Sequence, residues 1–425
     1  MTPFQGLGRS AFTQSLEATH ATAPHICIVG GGFGGLYTAL YLERHRILKA
    51  ARVTLVEPRG QFLFTPLTYE LLTHELETWE VAPTYSSLIH STSIDWQQDQ
   101  ATQIDLAQRQ VTLGSGEVLT YDYLVIATGA RSRPVDIPGV EEHTLGFRSL
   151  SEVLTLKARL AQVLVAYPKV AVTVVGGGPS GVELAAKVAD RLGRRGQITL
   201  VDSGDRILKP FAVGLQKVAI KALQRRGVQL VLGAQVTQVE AERVLGQQGS
   251  EPFELASHLT IWAVGTEPMP WLGQQPLARN QQGQCLTLPT LQLMDYPEVF
   301  MLGDGAAITP AQKKQSKSAA PNTAQAAYQA AATVAHNVSA LVQQRQPKPF
   351  RYVHLGDMLT LGYGVAGVWS FGIALGGQLG GLIRRAVYIH RLPTREHRWR
   401  VLRRAWQQLI KGSVRLVKRG LGIGY

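Results

Sequence analysis

The sequence holds only two cysteines, Cys27 and Cys285, and no Cys-x-x-Cys anywhere in its 425 residues. That excludes a disulfide framework and a dithiol redox pair, and it fits a chain kept in a reducing compartment. The first 23 residues lack an apolar core and carry a single arginine, so neither a secretory signal nor a strongly basic transit peptide is expected there, but a flexible tail. Acidic residues are also short, 30 against 43 basic ones. The deficit is local: between Gly380 and Tyr425 twelve basic residues face one acid, Glu396, and account for most of the net charge of +13. Such a cluster suits nucleic acid, an anionic membrane or an acidic substrate. One uncharged run, residues 360–383, is long enough to imitate a membrane span, but its eight glycines suit strands and close turns better than a lipid-facing helix.

With 45% hydrophobic residues, a chain of this length folds into two or three domains, each with its own core. Residues 25–29 form an apolar run, followed at once by Gly30-Gly31-Gly32-Phe33-Gly34-Gly35 and then by Leu36, Ala39, Leu40 and Leu42 at helical spacing. Strand, GxGxxG turn and helix make a dinucleotide fingerprint. Gly30 allows the tight turn, Gly32 lets backbone approach a pyrophosphate, and Gly35 lets helix and strand touch, while the helix N-terminus offers N–H groups to phosphate. A predicted strand at 53–56 ends in Glu57, where a carboxylate accepts ribose hydroxyls. The pattern repeats at 170–175, Gly176-Gly177-Gly178-Pro179-Ser180-Gly181, a helix over 182–192 and a strand at 197–201 ending in Asp202. Two units imply two dinucleotides. Apolar strands also run into Ala127-Thr128-Gly129, into Gly265 and into Gly303-Asp304. Each alone is an ordinary turn; after the two fingerprints they suit backbone closing over a bound cofactor.

These blocks resemble the two-dinucleotide-binding-domain flavoproteins over about residues 24–340. The resemblance implies an α/β chain of glutathione-reductase-like type, with two Rossmann-like domains plus a C-terminal membrane-docking region. It implies non-covalent FAD, with contacts at Gly30, Gly32, Phe33, Gly34, Gly35, Glu57, Pro66, Ala127, Thr128, Gly129, Gly303, Asp304 and Ala324. NADH or NADPH, as substrate, falls to Gly176, Gly178, Pro179, Ser180, Gly181, Asp202 and Gly265. The expected FAD domain is discontinuous, 24–145 and 285–345, around an NAD(P)H domain at 146–284, with a membrane-association region at 346–425. Asp202 repels a 2′-phosphate while Arg206 is placed to accommodate one, so the nucleotide preference stays open. No metal is expected.

The electron acceptor differs between branches of such a scaffold. Lack of Cys-x-x-Cys excludes the dithiol branch; Cys27 reads as a buried structural thiol in the first strand and Cys285 as alone on a loop. Residues 321–329, Pro-Asn-Thr-Ala-Gln-Ala-Ala-Tyr-Gln, resemble the AQxAxQ block of type II NADH dehydrogenases. On a helix Gln325 and Gln329 lie one turn apart, and two neutral amides can hydrogen-bond a quinone's carbonyls without a charge in an apolar tunnel. Glu183, on the first turn of the second fingerprint helix, matches the glutamate that this family places near flavin and nicotinamide. It is either the proton relay for quinol formation or a carboxylate favoured by the helix dipole. Further blocks at 62–71, 78–83, 146–150, 180–187, 356–359 and 384–388 resemble the cyanobacterial and plastid demethylphylloquinone reductases, which reduce the naphthoquinone precursor of phylloquinone. Arg384 and Arg385 depart from the apolar, Trp-containing stretch usual in the respiratory pattern.

Residues 397–419 place Trp399, Leu402, Trp406, Leu409 and Leu416 at helical spacing, with Arg398, Arg400, Arg403, Arg404, Lys411 and Arg415 largely around the rest. That is an interfacial amphipathic helix for an anionic membrane, since an RNA-binding helix needs no pair of tryptophans one heptad apart. The expected protein is peripheral on the cytoplasmic or stromal face of a thylakoid or plasma membrane. It is not secreted, binds no nucleic acid, takes a membrane quinone and pumps no protons, and a homodimer remains open. Two other readings stand: a respiratory-type plastoquinone or menaquinone reductase, and an NAD(P)H-sensing flavoprotein scaffold.

Overall fold

The computed structural model describes residues 23–45, 50–308 and 320–420, with side chains as far as residue 407. The expected flexible tail, residue 23 apart, and the side chains of Leu409, Lys411, Arg415 and Leu416 lie outside the described residues.

Two five-stranded parallel sheets organise the chain. In the first, β1 (His25–Val29), β2 (Arg52–Val56), β3 (Asp95–Gln97) and β4 (Tyr123–Ile126) are joined by a later strand, Val299–Met301, in the order Val299–Met301, β4, β1, β2, β3. The chain leaves this sheet after β4 and builds the second before returning. There β5 (Val170–Val175), β6 (Gly196–Asp202), β7 (Gln229–Leu232) and β8 (Leu259–Trp262) pair with Thr144–Leu145 in the order β7, β6, β5, β8, Thr144–Leu145. The strands are continuous apolar runs because both faces of each sheet are covered, which is what parallel sheets demand. Ile26, Cys27 and Ile28 are fully buried, and burial pushes the Cys27 thiol up to about 12.

In both sheets the strand order reverses beside the first strand of the fingerprint, opening a crevice at the strands' carboxyl ends. Helices α1 (Phe33–Arg44) and α2 (Pro179–Leu192) start at those crevices. Helix α3 (Ala324–Val342) packs along α1. Cys285 lies on a short buried strand, Cys285–Thr287, paired with Ala306–Ile308, and not on a loop; one three-residue strand is too short for its period to show in sequence.

The C-terminal part is a small antiparallel sheet, β9 (Asp357–Thr360), β10 (Ala366–Ser370) and β11 (Ile373–Leu375), followed by α4 (Gly377–Arg391) and α5 (Arg395–Gly420). Strands occupy residues 357–375, whereas Gly380 and Gly381 are helical. A side chain on either would collide with the carbonyl oxygens of Ala366 and Gly364, so these glycines exist to let α4 lie on the hairpin. Among the described residues no helix is long and apolar enough to cross a membrane.

Helix α5 has two working faces rather than one. His397 hydrogen-bonds the Glu80 carbonyl at 2.9 Å, Val401 is buried, and Arg404 pairs with Glu80 and with Glu77 at 2.8 Å. Arg404 therefore anchors the helix to the protein instead of joining the solvent-facing cations. Trp399 and Trp406, 71% and 67% exposed, point the other way. Arg404→Ala leaves the Glu80 carboxylate, 2% exposed, with the Glu77 N–H but without its cation. The expected cost is about 3 kcal/mol, to be read as a lowered Tm with early proteolytic release of α5.

Candidate functional site

Gly30, Gly129, Gly176, Gly265 and Gly303 stand just beyond the carboxyl ends of β1, β4, β5, β8 and Val299–Met301, each with positive φ. At Gly30 and Gly176 both conformation and space demand glycine: φ is +98° and +115°, and an added Cβ would sit 2.5 Å from the Ala127 oxygen and 3.0 Å from the Ala263 oxygen. Gly35 and Gly181 are the helix–strand contacts, since a Cβ on either would collide with the carbonyl oxygen of Gly30 or Gly176. Gly34 packs under Leu302.

Gly32 and Gly178 differ from these. Each is the N-cap of its helix, neither helix has a side-chain cap, and a Cβ on either would meet no protein atom within 4 Å. The first turns of α1 and α2 thus have no side-chain cap and open space beside their N-cap residues, the condition an incoming phosphate requires. Pro179 and Ser180, in that first turn of α2, are exposed.

The two carboxylates at the second strands are held alike. Glu57 accepts from the Gly31 N–H at 2.7 Å, and Asp202 from the Gly177 N–H at 2.5 Å and the Gly204 N–H at 2.7 Å. Glu57 also carries a two-pronged pair with Arg59, at 2.6 Å and 2.9 Å, that the sequence reading missed. Burial works to raise the Glu57 carboxyl, but the Arg59 guanidinium prevails and holds it below the usual range. Thr128 has a buried hydroxyl with no hydrogen-bond partner, and Asp304 faces Arg148 at 3.8 Å, its carboxyl raised by burial against that cation. Phe33 turns its ring into an aromatic cluster with Phe62 and Phe64. Pro66 offers its carbonyl to Arg384.

Ala324 opens α3, whose N-cap Thr323 accepts from the Ala326 N–H at 3.2 Å. Gln325 and Gln329 share one face of α3, but both amides hold the incoming chain. Gln329 accepts from the Val353 N–H at 3.0 Å and donates to its carbonyl at 2.8 Å; Gln325 accepts from the Leu355 N–H at 3.2 Å and donates to the Gly356 carbonyl at 3.3 Å. Among the described residues each side-chain nitrogen makes one hydrogen bond of the two it can donate.

Glu183, 7% exposed, accepts from the Thr360 N–H at 2.8 Å, and Tyr69 also reaches its carboxyl. Burial raises this carboxyl to about 7, with the Arg384 guanidinium and the Thr360 N–H pulling the other way. A carboxyl poised there exchanges protons readily at neutral pH. Among the described residues no group of metal-ligating side chains gathers.

Residues 24–331 match the pyridine nucleotide-disulphide oxidoreductase family. The chain is 38% identical over 384 residues to demethylphylloquinone reductase NdbB of Synechocystis sp., covering 88% of this chain and 93% of that protein. It is 34% identical over 416 residues to the alternative NAD(P)H-ubiquinone oxidoreductase C1, chloroplastic/mitochondrial, of Arabidopsis thaliana, covering 89% and 79%. The NADH complex of NDH2 from Plasmodium falciparum superposes with a TM-score of 0.80 at 19% identity, over 89% of this chain and 96% of that one. The matched span takes in both crevices and the whole of each parallel sheet, and the chain belongs to the pyridine nucleotide-disulphide oxidoreductases, in their type II NAD(P)H:quinone oxidoreductase branch.

Proposed function

We propose that the chain takes hydride from NAD(P)H at the α2 crevice, holds FAD non-covalently at the α1 crevice, and reduces a membrane naphthoquinone, demethylphylloquinone, to its quinol in phylloquinone biosynthesis. The balance is NAD(P)H + H⁺ + quinone → NAD(P)⁺ + quinol. The similarity to NdbB over nearly the full chain carries the choice of a naphthoquinone. When bound, the isoalloxazine ring supplies hydride acceptance and two-electron delivery.

In this reading the N–H groups after Gly32 and Gly178 bind the pyrophosphates, Glu57 and Asp202 accept ribose hydroxyls, and Thr128 and Asp304 meet the remainder of FAD. The orphaned Thr128 hydroxyl and the two uncapped helix starts fit such ligands. Gln325 and Gln329 hold residues 353–356 as one wall of the quinone site and offer it their free amide hydrogens. Glu183 carries the proton taken from solvent in each turnover. The exposed Phe371, Leu382, Trp399 and Trp406, with the basic residues around them, rest on the cytoplasmic or stromal face of a thylakoid or plasma membrane. The proposed domain division stays at 24–145 with 285–345 around 146–284, although Thr144–Leu145, at the end of its first piece, pairs in the second sheet.

Stopped-flow reduction of the yellow protein by NADH and by NADPH, then anaerobic mixing with a demethylnaphthoquinone or a plastoquinone analogue, tests this. Flavin that bleaches and then recovers faster with the naphthoquinone supports the proposal; recovery faster with the benzoquinone supports the respiratory reading that the Arabidopsis relative's name suggests. Flavin that never recovers sinks both. Glu183→Gln is expected to keep nicotinamide-driven bleaching and slow recovery about 100-fold. Because Glu183 donates when protonated, wild-type recovery falls as pH rises through about 7; the variant's slow recovery is flat there.

A further inference from the structure

Arg384 belongs to the most basic section of the chain, and its neighbour Arg385 is exposed. Its own guanidinium is buried: 5% of the side chain is exposed. It crosses from α4 into the protein, where it bonds Glu70 and the Pro66 carbonyl and lies 3.7 Å from Glu183. The Tyr388 ring lies against it, 4.9 Å from centroid to guanidinium carbon. On the far side of Glu70, Lys187 is fully buried, 3.7 Å from Glu70 and bonded to Glu75.

Around Glu183 stand Tyr69 and Glu70 from the helical turn Thr65–Leu71, the Thr360 N–H from β9, and Arg384 and Tyr388 from α4; Lys187 of α2, with its partner Glu75, joins the cluster through Glu70. Three carboxylates, Glu70, Glu75 and Glu183, thus share two cations, Arg384 and Lys187. Burying an unpaired charge is costly, so the cluster favours one extra proton. Arg384 and Lys187 overcome the burial of Glu70 and hold it ionised, which leaves the proton to Glu183. Among the described residues one Glu70 oxygen and the Arg384 Nε have no hydrogen-bond partner.

We propose that Arg384 is a positioning residue for Glu183: from the membrane-side helix it divides its guanidinium between Glu70 and Glu183, and that division sets how tightly Glu183 holds its proton. The proposal rests on the reading of Glu183 as the relay for the proton in the balance above. Arg384 touches neither quinone nor nucleotide in this account. Its substitution acts on the proton step alone.

The test measures the protonated carboxyl of Glu183 directly, as the infrared carboxylic-acid C=O band that disappears in Glu183→Gln, titrated in the holoenzyme. Quinol formation against pH and nicotinamide-driven flavin bleaching are read in parallel. In Arg384→Gln the infrared midpoint and the pH profile both move up by about one unit, a tenfold tighter proton, and Arg384→Lys brings them back toward wild type. If Arg384→Gln does not fold, the charge-balanced double variant Arg384→Met with Glu70→Gln replaces it, with a shift of the same direction and smaller size. An infrared midpoint unmoved in every folded variant overturns the role of Arg384. A midpoint that moves while the pH profile of quinol formation stays put supports the role of Arg384 and removes Glu183 from turnover, so the two ideas fail separately.

Discussion

Gly178→Ala is expected to give a protein that is fully folded and yellow yet binds nicotinamide nucleotides roughly 10- to 100-fold more weakly. The argument rests on empty space. Gly178 has φ −72° and ψ −178°, an extended conformation that alanine adopts freely, and a Cβ there touches nothing in the protein. Folding gives no reason for glycine at this position. The methyl would stand at the uncapped start of α2, so with the nucleotide bound as proposed it would crowd the pyrophosphate and no protein atom. Gly32→Ala is the matching change in the other crevice and is expected to yield a folded, colourless protein. Gly181→Ala, whose Cβ would strike the Gly176 oxygen, is expected instead to cost more than about 3 kcal/mol of stability. Thermal melts, flavin content and nicotinamide titration separate the three. Equal nucleotide affinity in Gly178→Ala and wild type would falsify the placement of NAD(P)H at α2.

Replacing both Trp399 and Trp406 with alanine is expected to weaken binding to anionic vesicles by about 100-fold or more. Each indole presents most of its surface to solvent. Burying even half of a tryptophan's area contributes about 2 kcal/mol, and two such rings act together. Because His397, Val401 and Arg404 hold the opposite face of α5, the double variant should keep its Tm and its rate with a water-soluble quinone. Loss of both with vesicle binding intact would mean that the tryptophans pack within an assembly instead. Salt should weaken the remaining attraction, since exposed cations act over a screened distance.

The two crevices were readable because their determinants are local. A five-residue apolar strand, glycines whose spacing meets a turn, and an acid at the end of the next strand all lie within about 30 residues, and the structure puts each at a strand's carboxyl end. What escaped the sequence depends on partners far along the chain. Arg59 looked like any arginine beside an acid, Arg384 and Arg404 like two of twelve cations, and Lys187 like a solvent-facing lysine, until folding set carboxylates opposite them. Gln325 and Gln329 were legible as a pair but not as a clamp, because the irregular segment they grip, residues 353–356, carries no periodic signal. The glycines at 380 and 381 read as part of strands and close turns, and that reading fails there: they lie in a helix, where lack of a side chain lets it rest on the hairpin.

Helix α2 also ties the two ends of the molecule together in time. Its polar stripe of Glu183, Lys187 and Asp190 takes partners from both directions: Glu75 came earlier, but Thr360 and Tyr363 follow their acids by 177 and 173 residues. On a ribosome adding about 5–20 residues per second, Glu183 waits roughly 10–35 s for the Thr360 N–H and longer still for Arg384, whereas Asp190 meets Arg226 after 36 residues. Until then the nucleotide-binding half is a half-made interior with the Glu183 carboxyl open. A shortened gene ending after α3 should therefore give an aggregating product rather than a soluble dehydrogenase fragment, and the protein becomes an enzyme only when its membrane-facing end has been made.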